Sequence, residues 1–544
     1  MLARPMPTPE VPPDPRAPRD VARLLARAVE RFGEAPFLVV GDERLSFAAF
    51  GARVATAAAA FAQRGVGPGD RVAVLLPRCV DEAVALLGAM AAGGVAVPVH
   101  GKLKDDQVRH VLRDAEPRCV VTNRTRTLAL RDAAALFEGL DVLDAPRDLA
   151  APGTLRQSDA GASGDASRQE PRGLPGAPID PGTAAVLLYT SGSTGPAKAV
   201  VQTHGNLARG AEVVAGYLEL TAADHVLALL PLSFDYGLNQ LLSALWVGCQ
   251  LTAADHLGAA ELAALLRRHR PTGLAGVPSL WHEVAGGLDA GSLTDDDGRS
   301  LRYVTNSGGA LRIADSRRLR LRWPHVAVYA MYGLTEAFRS AFLPPGEFDA
   351  HPESFGYAIE GVELLLVCPD DGAVLDGAAT GELVHAGELV AAGYWRRPAD
   401  TAARFRPDPR GGGGTVVYSG DLVRRDAGGR HYFVARQDRM LKVFGHRVSP
   451  DEVAAAVADM PGVGQLHVAG LDGGADGHRI ALWLVGDPAD GALADAVRRR
   501  CRARLPSYMV PQVVQVVPRL PHTANGKVDE AVLRALLEPC REGP

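Results

Sequence analysis

Short, uninterrupted apolar runs alternating with helical stretches are the feature that most constrains this chain. RVAVLLP (Arg71–Pro77), Val95–Val99 and Cys119–Thr122 carry no polar alternation, and Val80–Ala92 and Gln107–Asp114 between them read as helices. A strand without a polar face needs cover on both sides, so the pattern predicts parallel sheets layered with helices, an α/β fold. The rhythm begins upstream with a helix at Val21–Phe32, a strand at Phe37–Val40 and an Ala-rich helix at Phe47–Arg64, and it resumes as a strand at Ala184–Tyr189.

At 544 residues the chain is too long for one domain of ordinary size. Hydrophobic residues make up 47% and charged residues 22%, the balance of a globular protein with ample core. The net charge is −5 and the two signs interleave, which argues against a nucleic-acid partner. The six cysteines are scattered, with no CxxC and no His/Cys cluster, so neither a zinc site nor a disulfide framework is expected and the compartment reads as cytoplasmic. The Pro-rich N-terminus lacks the apolar core of a secretion signal. The most apolar run, Ala83–Val99, is interrupted by Gly93-Gly94 and Pro98 and falls short of the ~20 residues that cross a bilayer. Residues 151–182 turn to Gly, Ser, Asp, Pro and Arg and read as a flexible loop, and Gly411–Gly414 as a hairpin tip.

After the strand Ala184–Tyr189 comes TSGSTGPAK. Thr190, Ser191, Gly192, Ser193, Thr194 and Gly195 combine glycines, which free backbone N–H groups to converge, with hydroxyl donors, and Lys198 adds a cation. Such a loop either cradles phosphate or is an ordinary surface loop. It is not a Walker A loop, because Ala197 and Ala199 flank the lysine.

The same stretch resembles the phosphate loop of the adenylate-forming superfamily, which includes acyl-CoA synthetases, aryl-CoA ligases, luciferases and the adenylation domains of peptide synthetases. Further matching motifs follow in the family's order: SGGA (Ser307–Ala310), MYGLTEA (Met331–Ala337), GEL…GYWRRP (Gly381–Pro398), YSGDLVRRDAGGR (Tyr418–Arg430), ARQDRMLKVFGHRVSPDEV (Ala435–Val453), LPSYMVP (Leu505–Pro511) and PHTANGK (Pro521–Lys527). Ala199, Pro196 and Ala435 depart from the family pattern without removing a reactive side chain.

The resemblance implies that a carboxylic acid attacks the α-phosphate of ATP, pyrophosphate leaves, and a thiol then displaces AMP to give a thioester. It makes Lys527 the residue bridging the acid and the α-phosphate, Thr335 a donor to that phosphate, and Glu336 the Mg2+ ligand. It sets Gly309, Ala310 and Tyr332 against the nucleotide, with Tyr332 stacked on adenine and a buried core tyrosine as the alternative. Asp421 would accept the ribose hydroxyls, with Arg436 in support.

The implied architecture is a large N-terminal domain, residues 1–437, of parallel-rich sheets with a β-barrel-like part, and a small mobile α+β lid, residues 438–544. Asp438 would be the hinge, and the loop with Lys442 and Gly445 would replace Lys527 at the cleft for the second step. Phe234, Asp235, Gly237, Ser307, Gly308 and Met331 fall where the family lines its acid pocket. Asp235 either meets a substrate ammonium, as in amino-acid adenylators, or caps a loop or pairs with Arg339. The tract FDYGLNQ with YGLTEAFRSAFLPP resembles stand-alone bacterial acyl-CoA ligases more than embedded peptide-synthetase domains, and coenzyme A is the expected thiol. The alternatives are a separate phosphopantetheinyl carrier protein loaded with an amino acid, and a catalytically silent nucleotide-binding homologue.

Overall fold

The structure, a computed structural model, describes residues 17–130, 132–149, 178–190, 197–436, 441–443, 446–472, 478–487, 491–505, 507–523 and 527–537. Ser191, Gly192, Ser193, Thr194, Gly195, Asp438 and Gly445 lie outside these residues, as does nearly all of the 151–182 segment.

Four strands predicted from continuous apolar runs form a six-stranded sheet with two that were not predicted, Asp141–Asp144 and Lys198–Thr203, in the order Asp141–Asp144, Cys119–Thr122, Arg71–Val74, Val95–Pro98, Ala184–Thr190, Lys198–Thr203. The first five are mutually parallel, and the last folds back antiparallel, with Thr190 opposite Lys198. Helices Val80–Ala91 and Asp105–Ala115 supply cover, which is why Val72–Val74, Val95–Pro98 and Cys119–Val121 carry no polar face. The second of these begins two residues before the predicted Gln107, because Gln107 serves the helix start: its Oε1 accepts from the Lys104 N–H at 3.0 Å.

A second, larger sheet has Glu43–Ser46 at its edge, antiparallel to Pro36–Val40, and continues through Gln250–Ala253, His225–Ala228, Gly273–Gly276, Tyr303–Asn306 and Ala327–Tyr332, all parallel to Pro36–Val40. It changes hand at Ala341–Leu343 and continues as antiparallel strands through Thr415–Arg425 and His431–Arg436. The resemblance implies a β-barrel-like part in this domain without placing it, and these antiparallel strands are the portion of the sheet that departs from the parallel pattern. The four glycines end a hairpin as predicted, between Phe405–Pro407 and Thr415–Arg425.

Residues 441–537 form a smaller α+β unit. Leu466–Asp472, His478–Val485 and Val513–Val517 make a three-stranded sheet, with helices Pro450–Ala455, Gly491–Arg504 and Glu530–Ala535. Its core, around Val453, Ile480, Leu482, Leu484, Val497 and Cys501, is built from its own residues. Among the described residues no helix is long and apolar enough to cross a membrane.

Candidate active site

The point where the larger sheet changes hand brings several predicted residues together. Tyr332 ends the last parallel strand and pairs with Ala341. The intervening GLTEAFRS must reverse direction in a few residues, and Thr335–Ala337 does so as a single 3-10 turn. The turn ends at Phe338 with φ +46°, a left-handed conformation that costs a non-glycine residue about 1–3 kcal/mol. Packing holds it there: Phe338 is fully buried, and its ring lies over Gly210, where a Cβ would come within 2.4 Å. This strained turn aims Glu336 one way and Arg339 another.

Glu336 Oε1 accepts from the Tyr394 hydroxyl at 2.6 Å, and the Glu336 carbonyl accepts from the Ala391 N–H at 2.9 Å. Burial and then the carboxylate beside it push the Tyr394 phenol well above its ordinary range. Residues 392–395 are tied to the strand Lys198–Thr203 by three backbone hydrogen bonds, Val201 N to Gly393 O, Ala392 N to Val201 O and Trp395 N to Ala199 O. Lys198 Nζ sits 5.7 Å above the Tyr394 ring and pairs with Asp400 at 2.6 Å. The Gln202 side-chain amide donates to the Thr335 carbonyl. Tyr394 therefore joins the foot of the glycine-hydroxyl loop to the predicted metal ligand. The GYW stretch was legible as a motif, but no role for its tyrosine could be read from it.

A second group stands beside the first. The Tyr332 hydroxyl donates to Asp421 Oδ2. Asp421 lies directly across the strand pair from Arg436, whose Nε is 3.2 Å from Oδ1. The Asp421 N–H donates to Ser419 Oγ at 3.0 Å, beside the irregularity that Gly420, at φ +71°, makes in this strand. The Tyr332 ring stacks on Phe355 at 4.4 Å and lies parallel to His385 at 5.8 Å. Both His385 nitrogens are buried without a partner among the described residues, and burial lowers its pKa to about 3.

The predicted acid-pocket residues also converge. Phe234, Val277 and Met331 belong to one aromatic-rich cluster with Tyr236, Tyr303 and Tyr329, and a Cβ on Gly308 would lie within 4 Å of Val277 and Phe234. Ser307 is buried at the end of the strand Tyr303–Asn306, Gly308 follows at φ +80°, and Gly309 and Ala310 are exposed. Gly237 has a packing reason to be glycine, since a Cβ there would meet the Pro231 carbonyl at 2.2 Å.

Asp235 opens the helix Asp235–Val247 and is 3% exposed. Of the readings open for it, the structure shows the pairing with Arg339, Nη1 to Oδ2 at 3.3 Å. Burial pushes the Asp235 carboxyl up, and Arg339 opposes that shift. Removing one partner of a buried ion pair costs about 3–5 kcal/mol, so each fixes the other.

Lys527 is exposed on the C-terminal unit. The Thr523 N–H donates to the Lys527 carbonyl at 2.6 Å and His522 pairs with Val528, so the chain returns on itself around Lys527. Asn525 and Gly526, whose sequence favours a tight type I′ turn ahead of Lys527, lie outside the described residues. Lys442 lies in the strand Leu441–Val443.

Residues 25–395 match the family described as AMP-binding enzyme, and residues 452–527 match its C-terminal domain. The chain is 32% identical to the L-proline--[L-prolyl-carrier protein] ligase of Streptomyces coelicolor, over 90% of this chain and 92% of that one. It is 30% identical to phenyloxazoline synthase MbtB of Mycolicibacterium paratuberculosis over 94% of its own length, spanning 42% of that protein. The ATP-bound crystal structure of MatB from Rhodopseudomonas palustris superposes with a TM-score of 0.80 at 25% identity, covering 96% of this chain and all of that one.

Proposed function

Because the chain belongs to the AMP-binding enzyme family, we propose that it uses ATP to activate an amino acid as its adenylate and passes the acyl group to the phosphopantetheine thiol of a separate carrier protein. The observation that carries this reading is the likeness, along nearly the whole of both chains, to a ligase named for prolyl-carrier loading. The motifs alone rank coenzyme A first, and this likeness reverses that order.

The groups in the cleft suit the first step. Asp421 presents a carboxylate to paired hydroxyls such as those of ribose, with Arg436 beside it. Glu336 supplies a hard oxygen ligand for Mg2+. Among the described residues no three His, Cys, Asp or Glu side chains gather to hold a metal, so an ion on Glu336 would complete its coordination with phosphate oxygens and water. Lys198, Thr190 and the glycine-hydroxyl loop are assigned to the outer phosphates. Thr335 and Lys527 are assigned to the α-phosphate, where a donor placed on developing charge lowers the barrier. Phe234, Ser307, Gly308 and Met331 line the acid's place, with Asp235 facing its ammonium. The unit beginning near residue 438 acts as a lid, with Asp438 as its hinge and Lys442 and Gly445 serving the thiol step.

The test is ATP–pyrophosphate exchange across amino, fatty and aryl acids, followed by thiolation with holo-carrier protein or coenzyme A as acceptor. Exchange with an amino acid and faster transfer to the carrier are expected. A higher kcat/KM with coenzyme A would overturn the choice of thiol, and no exchange with any acid would overturn the reaction itself.

A further inference from the structure

Arg339 is only 3% exposed, yet three of its five N–H donors have no partner among the described residues. Its Nη1 donates to Asp235 Oδ2 at 3.3 Å and to the Phe338 carbonyl at 2.7 Å. Its Nε and Nη2 are closed off from solvent and have no partner among the described residues. The guanidinium carbon lies 4.8 Å from the centre of the Tyr236 ring and 5.5 Å from that of Phe338. Tyr236 belongs to the aromatic cluster that also holds Phe234, Val277 and Met331. Two orphaned nitrogens on a permanently charged planar fork, packed beside aromatic side chains, are unfavourable unless an acceptor arrives.

Asp235 shows the complementary surplus. Its Oδ1 takes the Tyr236 N–H at 2.7 Å and its Oδ2 takes Arg339. A carboxylate offers about four acceptor sites, so room remains for an ammonium. The pair as it stands is neutral overall. An ordinary amino acid brings an ammonium to Asp235 and spends its carboxylate on ATP, which leaves two cations sharing Asp235 and the Arg339 Nε and Nη2 still unmet. An occupant with one further negative group satisfies both.

We propose that the acid carries a second carboxylate, received by Arg339 Nε and Nη2, so that the substrate is an α-amino acid with an acidic side chain and Arg339 is the residue that selects it. This rests on the amino-acid reading of the same site and narrows it.

The unaltered enzyme provides the first test, so misfolding of a variant cannot obscure the result. Pyrophosphate exchange is measured with aspartate, glutamate and 2-aminoadipate beside their neutral amides, the matching dicarboxylic acids without an amino group, and proline. The best acidic amino acid should exceed its amide by at least about 10²-fold in kcat/KM, since a site built to bond a polar group rejects the analogue that lacks it. In Arg339→Gln that ratio should fall below about 10-fold, chiefly through a higher KM for the acidic substrate, and Arg339→Lys should restore part of it. Proline or another neutral amino acid outpacing every acidic one would overturn this inference while leaving carrier loading in place. An unchanged ratio in Arg339→Gln would remove Arg339 as the selector. An amine-free dicarboxylate reacting as fast as its amino counterpart would overturn the amino-acid class. No exchange with any acid would instead refute adenylation, and this inference with it.

Discussion

Replacing Tyr394 with phenylalanine isolates one atom. The ring would keep its edge contact with Phe405 at 5.5 Å and its place under Lys198, and only the hydroxyl that donates to Glu336 at 2.6 Å would be lost. A hydrogen bond to a charged group is worth about 1.5–3 kcal/mol. Glu336 is only partly buried, so water replaces some of that and the loss of fold stability should stay near 1 kcal/mol. The larger effect is expected at the proposed Mg2+ site. With Oε1 held by Tyr394, Oε2 is the oxygen left to face an ion, and without the tyrosine the carboxylate must be ordered at the moment of binding. Outer-shell partners of metal ligands typically contribute 10- to 100-fold in affinity. Exchange measured against Mg2+ at fixed ATP should therefore need about 10- to 100-fold more metal for half-maximal rate in Tyr394→Phe, with kcat at saturating metal within a few-fold of the parent. An unchanged Mg2+ dependence would refute the argument that Tyr394 positions Glu336 for the ion.

Lys527→Ala should cut adenylation by about 10²–10³-fold, the loss expected for one transition-state donor, while thioester formation from supplied adenylate suffers far less; separate assays of the half-reactions decide this. Asp400→Asn removes the partner of Lys198, and because both side chains are about a third exposed the pair is worth at most about 1 kcal/mol, so the KM for ATP should fall by up to about 5-fold, and a raised KM would contradict competition between Asp400 and phosphate. His385→Phe should stabilise the fold, more so in acid. The folded pKa of about 3 lies below the ordinary value of 6.5, so between those limits the unfolded chain binds the extra proton and stability is lost as pH falls. Each pH unit below 6.5 contributes up to about 1.4 kcal/mol, and denaturant melts at pH 7 and pH 5 should show the variant's advantage widening by about 2 kcal/mol.

The inner strands of the first sheet were legible because burial on both faces writes itself as an unbroken apolar run. The edge strands Asp141–Asp144 and Lys198–Thr203 carry polar residues and were not legible. Cys119–Thr122 begins and ends where the sequence predicts, and Val95–Pro98 stops one residue short. The helix Val21–Phe32 was equally plain, capped by Asp20, whose side chain accepts from the Arg23 N–H. The change of hand at Ala341–Leu343 left no such trace, because the turn that makes it depends on a fully buried Phe338 and on Gly210, 128 positions earlier in the chain. For the same reason motif order could name Glu336 and Asp421 but not Tyr394, whose significance comes from strands that meet only in the fold. The Asp235–Arg339 pair was among the readings open from the sequence. The two unused nitrogens of Arg339 were not, since an unmet hydrogen bond is a property of packing.

The described charges assigned to ATP share one arrangement. Lys198 is held by Asp400, Glu336 by Tyr394, and Asp421 by Tyr332 and Arg436. Isolated charges lining a cleft of this burial would weaken the fold or shift toward their neutral forms. Partners remove that penalty in the free protein and must be exchanged or shared when nucleotide enters, so part of each new contact replaces an old one. The net gain in binding is then modest even though every group is placed in advance. Preorganisation without tight ground-state binding suits a site that must later release AMP, because contacts that strengthen only as charge develops act on the rate rather than on retention. The acid's place differs in one respect. Arg339 has two nitrogens that nothing in the described structure meets, so there the incoming group gains a contact without displacing one. Selectivity for the acid can consequently be strong where affinity for the nucleotide need not be.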